Sequence, residues 1–188
     1  MNESYVIRKD DMAIQPYPTK RGLLDYTKIL KFKSPELIAQ ERTQKIIERS
    51  CKFYGSTYAY KKNDATRMTE IVSKPPILLT PLFPTYFFPT HSDRKLENAW
   101  VNIHFIQSIK ALRDKRCKII FVDNQSITVN ISEHSLRHQY HNAVFYYYKM
   151  DRAARVTTYD PEAPIDYSKE QMNIFEALVK YAQFQQKP

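Results

Sequence analysis

The chain has 188 residues, 43% hydrophobic, 13% aromatic and 26% charged, a balance that supports a buried core and excludes general disorder. Its only two glycines, Gly22 and Gly55, lie too far apart for the Gly-rich loops of dinucleotide-binding or P-loop enzymes. Lys and Arg number 29 against 20 Asp and Glu, a net charge of +9 that favours a polyanionic partner, nucleic acid before an anionic membrane surface.

Tyr5 to Ile7 and Met12 to Ile14 read as strands flanking the polar turn Lys9-Asp10-Asp11, and Asp25 to Lys33 alternates through Tyr26, Ile29, Leu30 and Phe32 as a further strand. Ser34-Pro35-Glu36 carries the signals of a helix start: a capping hydroxyl, a first-position proline and an acid. Ile46, Ile47, Ser50, Cys51 and Tyr54 predict a helix from about residue 44 to 54, closed by Gly55 in a left-handed conformation. Ser56 to Asp64 has no apolar face and reads as an exposed loop before a short element around Thr66 to Val72. Prolines at 75, 76, 81, 84 and 89 divide the next aromatic segment into short extended pieces. Ala99 to Ile106 alternates as a strand, and Cys117 to Val122 with Ile127 to Ile131 form a hairpin around Asp123-Asn124-Gln125-Ser126. Ser132 caps a helix whose stripe of Leu136, Tyr140, Ala143, Val144 and Tyr147 faces the core, and Ser168 with Gln171 opens a last helix. The pattern is α+β: antiparallel sheets or a partly open barrel with several packed helices, a single domain plus a C-terminal helix.

Charge is distributed unevenly. Arg42, Lys45, Arg49, Lys52, Lys61 and Lys62 against Glu48 give residues 42 to 62 a local +5, and Lys110, Arg113, Lys115, Arg116 and Lys118 against Asp114 give 110 to 118 a local +4. Residues 158 to 176 carry a local −4. In CKFYGSTYAYKKN the cations interleave with Tyr54, Tyr58 and Tyr60 and with Ser56 and Thr57, a mixture suited to phosphates, sugars and a groove. The competing reading is a tyrosine-rich segment packed on its own domain.

The blocks IIERSCKFYGSTYAYKKN, SKPPILL, FFPTHS and AWVNIHF, in that order between residues 45 and 107, resemble the competence transcription factor ComK family of Gram-positive bacteria. The resemblance implies a cytosolic activator of DNA-uptake genes that binds paired A·T-rich boxes in double-stranded promoter DNA as a multimer, a homodimer or tetramer, mainly through the minor groove. DNA contact is carried onto Arg49, Lys52, Tyr54, Ser56, Thr57 and Tyr58 of the family block and onto Lys61, Lys62, Asn63 and Arg67 beyond it. The chain departs from the family in having Tyr60, Lys61 and Lys62 where a second glycine and an arginine are common, and in lacking a cysteine near Asn98. Lysine offers a point charge instead of a guanidinium fork. A·T tracts narrow the minor groove and deepen its negative potential, so basic side chains can select them by shape. The domain is assigned to 1–156, with an acidic linker and C-terminal helix, regulatory or oligomerising, over 157–188. Whether that segment repels DNA, binds RNA polymerase or recruits a Clp-protease adaptor is open, with Thr158-Tyr159-Asp160-Pro161 the nearest candidate for the adaptor.

The remaining chemistry points away from catalysis. His134, His138 and His141 share a helical face, but no nearby acid or thiol completes a metal set, and no cofactor is expected. Asp10, Asp11 and Asp123 lie in apparent turns and do not form the carboxylate cluster of a metal-dependent nuclease. A protein-binding adaptor and a non-catalytic RNA-binding module are the alternatives. Cys51 and Cys117, without a CxxC partner, read as reduced thiols, and no run approaches the roughly 18 apolar residues of a membrane span. A soluble cytoplasmic protein with no membrane partner is expected.

Overall fold

The computed structural model describes residues 4–18, 24–83 and 85–158. Two units divide the chain, residues 1–147 and residues 148–188. The first is an α+β fold of two open antiparallel sheets with helices. Strands β1 (Asp11–Tyr17), β2 (Tyr26–Lys31), β3 (Leu37–Ala39), β4 (Ile77–Leu78), β5 (Tyr86–Pro89) and β6 (Trp100–Asn102) form a sheet in the order β3-β2-β1-β6-β5-β4. A smaller sheet takes β7 (Ile106–Ala111), β8 (Cys117–Phe121) and β9 (Ser126–Val129) in sequence order. The helices among the described residues are α1 (Thr43–Phe53), α2 (Tyr58–Thr69) and α3 (Glu133–Thr158), with a 3-10 turn over Ile103–Phe105.

The central strands are covered on both faces, which is why β6 breaks the expected alternation. Trp100 pairs with Ile14 and Pro89, and Val101 with Ala13 and Phe88; all three residues of β6 are buried. Ile14, Ile29, Ile77, Phe87 and Trp100 join Ile46, Ile47 and Cys51 of α1 in one core. On the opposite face, Phe88 meets Tyr140 and Tyr86 meets Tyr146, both from α3, at ring distances of 6.2 and 5.8 Å. The strand expected to continue to Ile106 instead turns after Asn102, whose side chain accepts from the His104 amide.

Other local expectations are also corrected. Ser34-Pro35-Glu36 starts no helix: Lys33 turns the chain with φ of 50° and Leu37–Ala39 pairs back onto β2, so the segment closes a hairpin. Tyr5 to Ile7 forms no strand, because the Tyr5 amide donates to the Glu41 carboxylate and the Ile7 amide to Ser50 Oγ, side chains standing in for a ladder. The hairpin of β8 and β9 forms as expected. So does the start of α3, where Ser132 Oγ accepts from the Ser135 amide and Leu136 and Ala143 are buried. Val144 and Tyr147 of the predicted stripe are only half-buried, and Gln139 and Tyr146 take the fully buried positions. In the second unit the described residues continue α3, and Arg152 donates to the Tyr148 hydroxyl at 2.9 Å. The helix expected from Ser168 lies outside the described residues.

The smaller sheet is fastened at one end. Gln125 Nε2 donates to the carbonyls of Lys31 and Ser34, the Lys33 amide donates to Asp123, and the Val122 amide donates to the Phe105 carbonyl. Arg137 of α3 adds a hydrogen bond to the Ile109 carbonyl at 3.0 Å. The turn joining β7 to β8 lies at the other end of the same strands.

Candidate nucleic-acid interface

The segment expected to be an exposed loop is a helix. α1 ends in two hydrogen bonds of a Schellman closure, from the Ser56 amide to the Cys51 carbonyl and from the Gly55 amide to the Lys52 carbonyl, with Gly55 at φ of +77°. Thr57 then caps α2, its hydroxyl accepting from the Tyr60 amide at 3.2 Å. The result is a helix pair joined by the short link Tyr54-Gly55-Ser56-Thr57. Only Ala65 and Thr69 of α2 are fully buried, with Tyr58 packed edge-on to Trp100 at 5.9 Å. Tyr58, Ala65 and Thr69, the inward positions over twelve residues, carry too little apolar surface to read as a stripe, so the helix is set by its caps and by tertiary packing.

The predicted contact residues divide into three groups. Arg49 forks onto both oxygens of Glu41 and donates to the Tyr5 carbonyl at 3.1 Å, while the Tyr54 hydroxyl donates to the Ile7 carbonyl at 2.7 Å; both tie the N-terminal segment to α1. Tyr58 and Lys62 meet on Asp93, at 2.9 and 2.7 Å, with the Lys62 ammonium over the Tyr58 ring. They line an open cavity of about 540 Å³ together with Gln44, Glu48, Lys74 and Arg94. Burial opposes the Asp93 charge, but the hydrogen bonds from Lys62 and Tyr58 outweigh it and hold the carboxyl below its usual range. Burial, then Asp93, pushes the Tyr58 hydroxyl up, so it stays a neutral donor.

The third group faces outward. Lys52 and Asn63 are exposed, Arg67 keeps 74% of its side chain in solvent beside Asp64, and Lys61 is half-buried. Tyr60, outside the expected contact set, is 63% exposed. Tyr60, Asn63 and Arg67 fall three and four residues apart, on one face of α2. Behind them Asp64 accepts from Arg67 at 2.8 Å and from the Tyr146 hydroxyl at 3.0 Å, which links α2 to α3. Ser56 and Thr57 serve the closure and the cap.

Half of the six cations behind the expected +5 are thus spent within the fold. Arg42 pairs with Asp25, Arg49 with Glu41 and Lys62 with Asp93, leaving Lys45, Lys52 and Lys61 without an ion pair among the described residues. His134, His138 and His141 are exposed on α3, and among the described residues no three His, Cys, Asp or Glu side chains gather as a metal site. Among those residues, too, no helix is long and apolar enough to cross a membrane.

A family model described as "ComK protein" matches residues 2–155. The chain belongs to the ComK family. It is also 27% identical, over 137 residues, to the "Competence transcription factor" of Bacillus subtilis (strain 168), an alignment covering 73% of this chain and 70% of that protein. No solved structure matches it. Both findings bear out the family resemblance of the ordered blocks, and the helix pair lies within the matched residues of this ComK-family chain.

Proposed function

We propose that this chain is a sequence-specific, non-enzymatic activator of competence genes that binds paired A·T-rich boxes in double-stranded promoter DNA as a multimer, mainly through the minor groove. The observation that carries this reading is family membership over residues 2–155, with a relative named for competence transcription. The outward stripe of Tyr60, Asn63 and Arg67, flanked by Lys52 and Lys61, supports it. An α-helix is about 10–12 Å across and the minor groove about 6 Å wide, so α2 lies along the backbone and only side chains enter. Lys52, Lys61 and Arg67 take phosphates, and Asn63 and Tyr60 meet sugars or base edges. Arg49, Tyr54, Thr57, Tyr58 and Lys62 act by holding the helix pair in place. One domain of this size cannot span two separated boxes, which calls for a dimer or tetramer. The protein works in the cytoplasm, where its promoters are.

Footprinting on duplexes carrying two A·T boxes at varied separations tests partner and symmetry together. Protection of both boxes at a preferred spacing is expected. Binding that shows no preference for A·T duplex over heparin at ordinary ionic strength would remove the reading.

A further inference from the structure

The β7–β8 hairpin carries the charge that the helix pair has spent. Lys110, Arg113, Lys115 and Lys118 are exposed and make no ion pair among the described residues. The one acid in the segment, Asp114, approaches Arg116 at 3.6 Å with 83% of its side chain in solvent. Building on the DNA reading above, we propose that this hairpin is a second DNA-contact arm, its tip Arg113–Arg116 entering the minor groove while Lys110 and Lys118 take phosphates beside it.

Two features of the arm favour a polyanionic partner. Lys110 and Lys118 are directly opposed across the two strands, a like-charge pair that repels in the free protein and is relieved when a phosphate lies between the ammonium groups. The turn places Asp114 at φ of 60° and Lys115 at φ of 54°, with the Arg116 amide donating to the Arg113 carbonyl. Consecutive left-handed residues are those of a tight hairpin turn, whose second position favours glycine; here it holds a cation. Local stability is given up for charge at the tip.

The scaffold suits the role. The inner face of the hairpin, Ile109, Cys117 and Ile119, is buried, and the end away from the tip is bonded to the larger sheet through Gln125 and Asp123. A rigid base thus holds a narrow, exposed tip. The strands, like α2, are too wide for the minor groove, but the two-residue turn at their tip can present the Arg113, Lys115 and Arg116 side chains to it. Leu112, exposed beside the turn, adds an apolar contact of the kind minor-groove proteins place against base edges.

The test measures binding to an A·T-box duplex by fluorescence anisotropy across salt concentrations. The variants are Arg113→Gln/Lys115→Gln/Arg116→Gln, Lys115→Gly, and Lys52→Gln/Lys61→Gln on the helix pair. The triple variant should unfold at the wild-type temperature and lose about 2–3 from the slope of log K against log salt. Lys115→Gly should unfold at a higher temperature yet lose about 1 from that slope, a pairing that a purely structural turn would not produce. Netropsin bound in the minor groove should weaken the wild type by a larger factor than the triple variant, which keeps only the α2 side chains at that groove. Wild-type affinity and slope in the triple variant, with the helix-pair variant weakened, would overturn the arm and leave DNA binding intact; so would loss of vesicle binding to phosphatidylglycerol without loss of duplex binding. Failure of the unmodified protein to prefer A·T duplex over heparin would instead sink the DNA reading on which the arm rests.

Discussion

Asp11 is fully buried where the β1–β2 ladder slips by one residue, and it accepts the Tyr5 hydroxyl on both oxygens and the Arg8 amide on one. Burial pushes its carboxyl up to about 6, against the opposing pull of the Arg8 amide and Tyr5. The folded state therefore keeps a proton that the unfolded chain has released, and the contribution of Asp11 to stability falls as pH rises from about 4 to about 6. The full effect is of the order of 3 kcal/mol, and Asp11→Asn should flatten that slope in denaturant melts across the window. Asp93 and Asp123, both held below the usual range, contribute in the opposite sense and lose their contribution only as pH falls below that range. Gly55 is needed for its backbone and not for space, since a β-carbon there would meet nothing within 4 Å. Gly55→Ala should cost about 1 kcal/mol, the penalty of a side chain in the left-handed region, measurable by urea unfolding. Cys51 is buried within the core, which pushes its thiol up to about 11 and makes it a packing group, not a nucleophile.

At the scale of elements, α2 depends on its ends. Its N-terminal hydroxyl cap and its left-handed residue Glu70, whose amide donates to the Thr66 carbonyl at 2.7 Å, enclose a helix with little buried surface of its own. Thr57→Ala should cost about 1 kcal/mol and weaken DNA binding with the salt slope unchanged, because no cation is lost. Arg49 and Lys61 separate holding from contact. Arg49→Ala leaves Glu41 without its guanidinium and should destabilise the fold by about 2 kcal/mol, while Lys61→Ala should change stability by less than about 0.5 kcal/mol and lower the salt slope by about 1. Melting temperature and binding slope, measured on the same preparations, distinguish the two roles.

For the whole molecule, the surplus charge matters less than where it remains unpaired. Lys52 and Lys61 on the helix pair and Lys110, Arg113, Lys115 and Lys118 on the hairpin make no ion pair among the described residues. With Arg67 and Arg116, which keep 74% and 47% of their side chains in solvent beside their acids, these cations release counterions on binding, and the salt slope should be about 7 in magnitude. Folding stability should respond far less to salt, since the ion pairs Arg42–Asp25 and Lys28–Glu36 are open to solvent and contribute little. Parallel titrations of affinity and of unfolding midpoint against salt check this contrast.

The family blocks, the α1 boundary with its closing glycine, the β8–β9 hairpin and the α3 cap could all be read from the chain, because each is encoded by neighbours within a few residues: a periodic stripe, a turn residue, a capping hydroxyl. α2 could not, since its core positions are Tyr58, Ala65 and Thr69, too sparse to form a period, and the tryptophan that Tyr58 packs against is more than forty residues away. Ser34-Pro35-Glu36 misled for the complementary reason, a local helix signal overridden by pairing of Leu37–Ala39 with β2. The net charge, the glycine scarcity and the family are properties of composition and order, and the amino-acid sequence alone determined them. Which cations face solvent was decided by tertiary structure, because Asp25 and Asp93 reach Arg42 and Lys62 only when segments 17 and 31 residues apart are folded together.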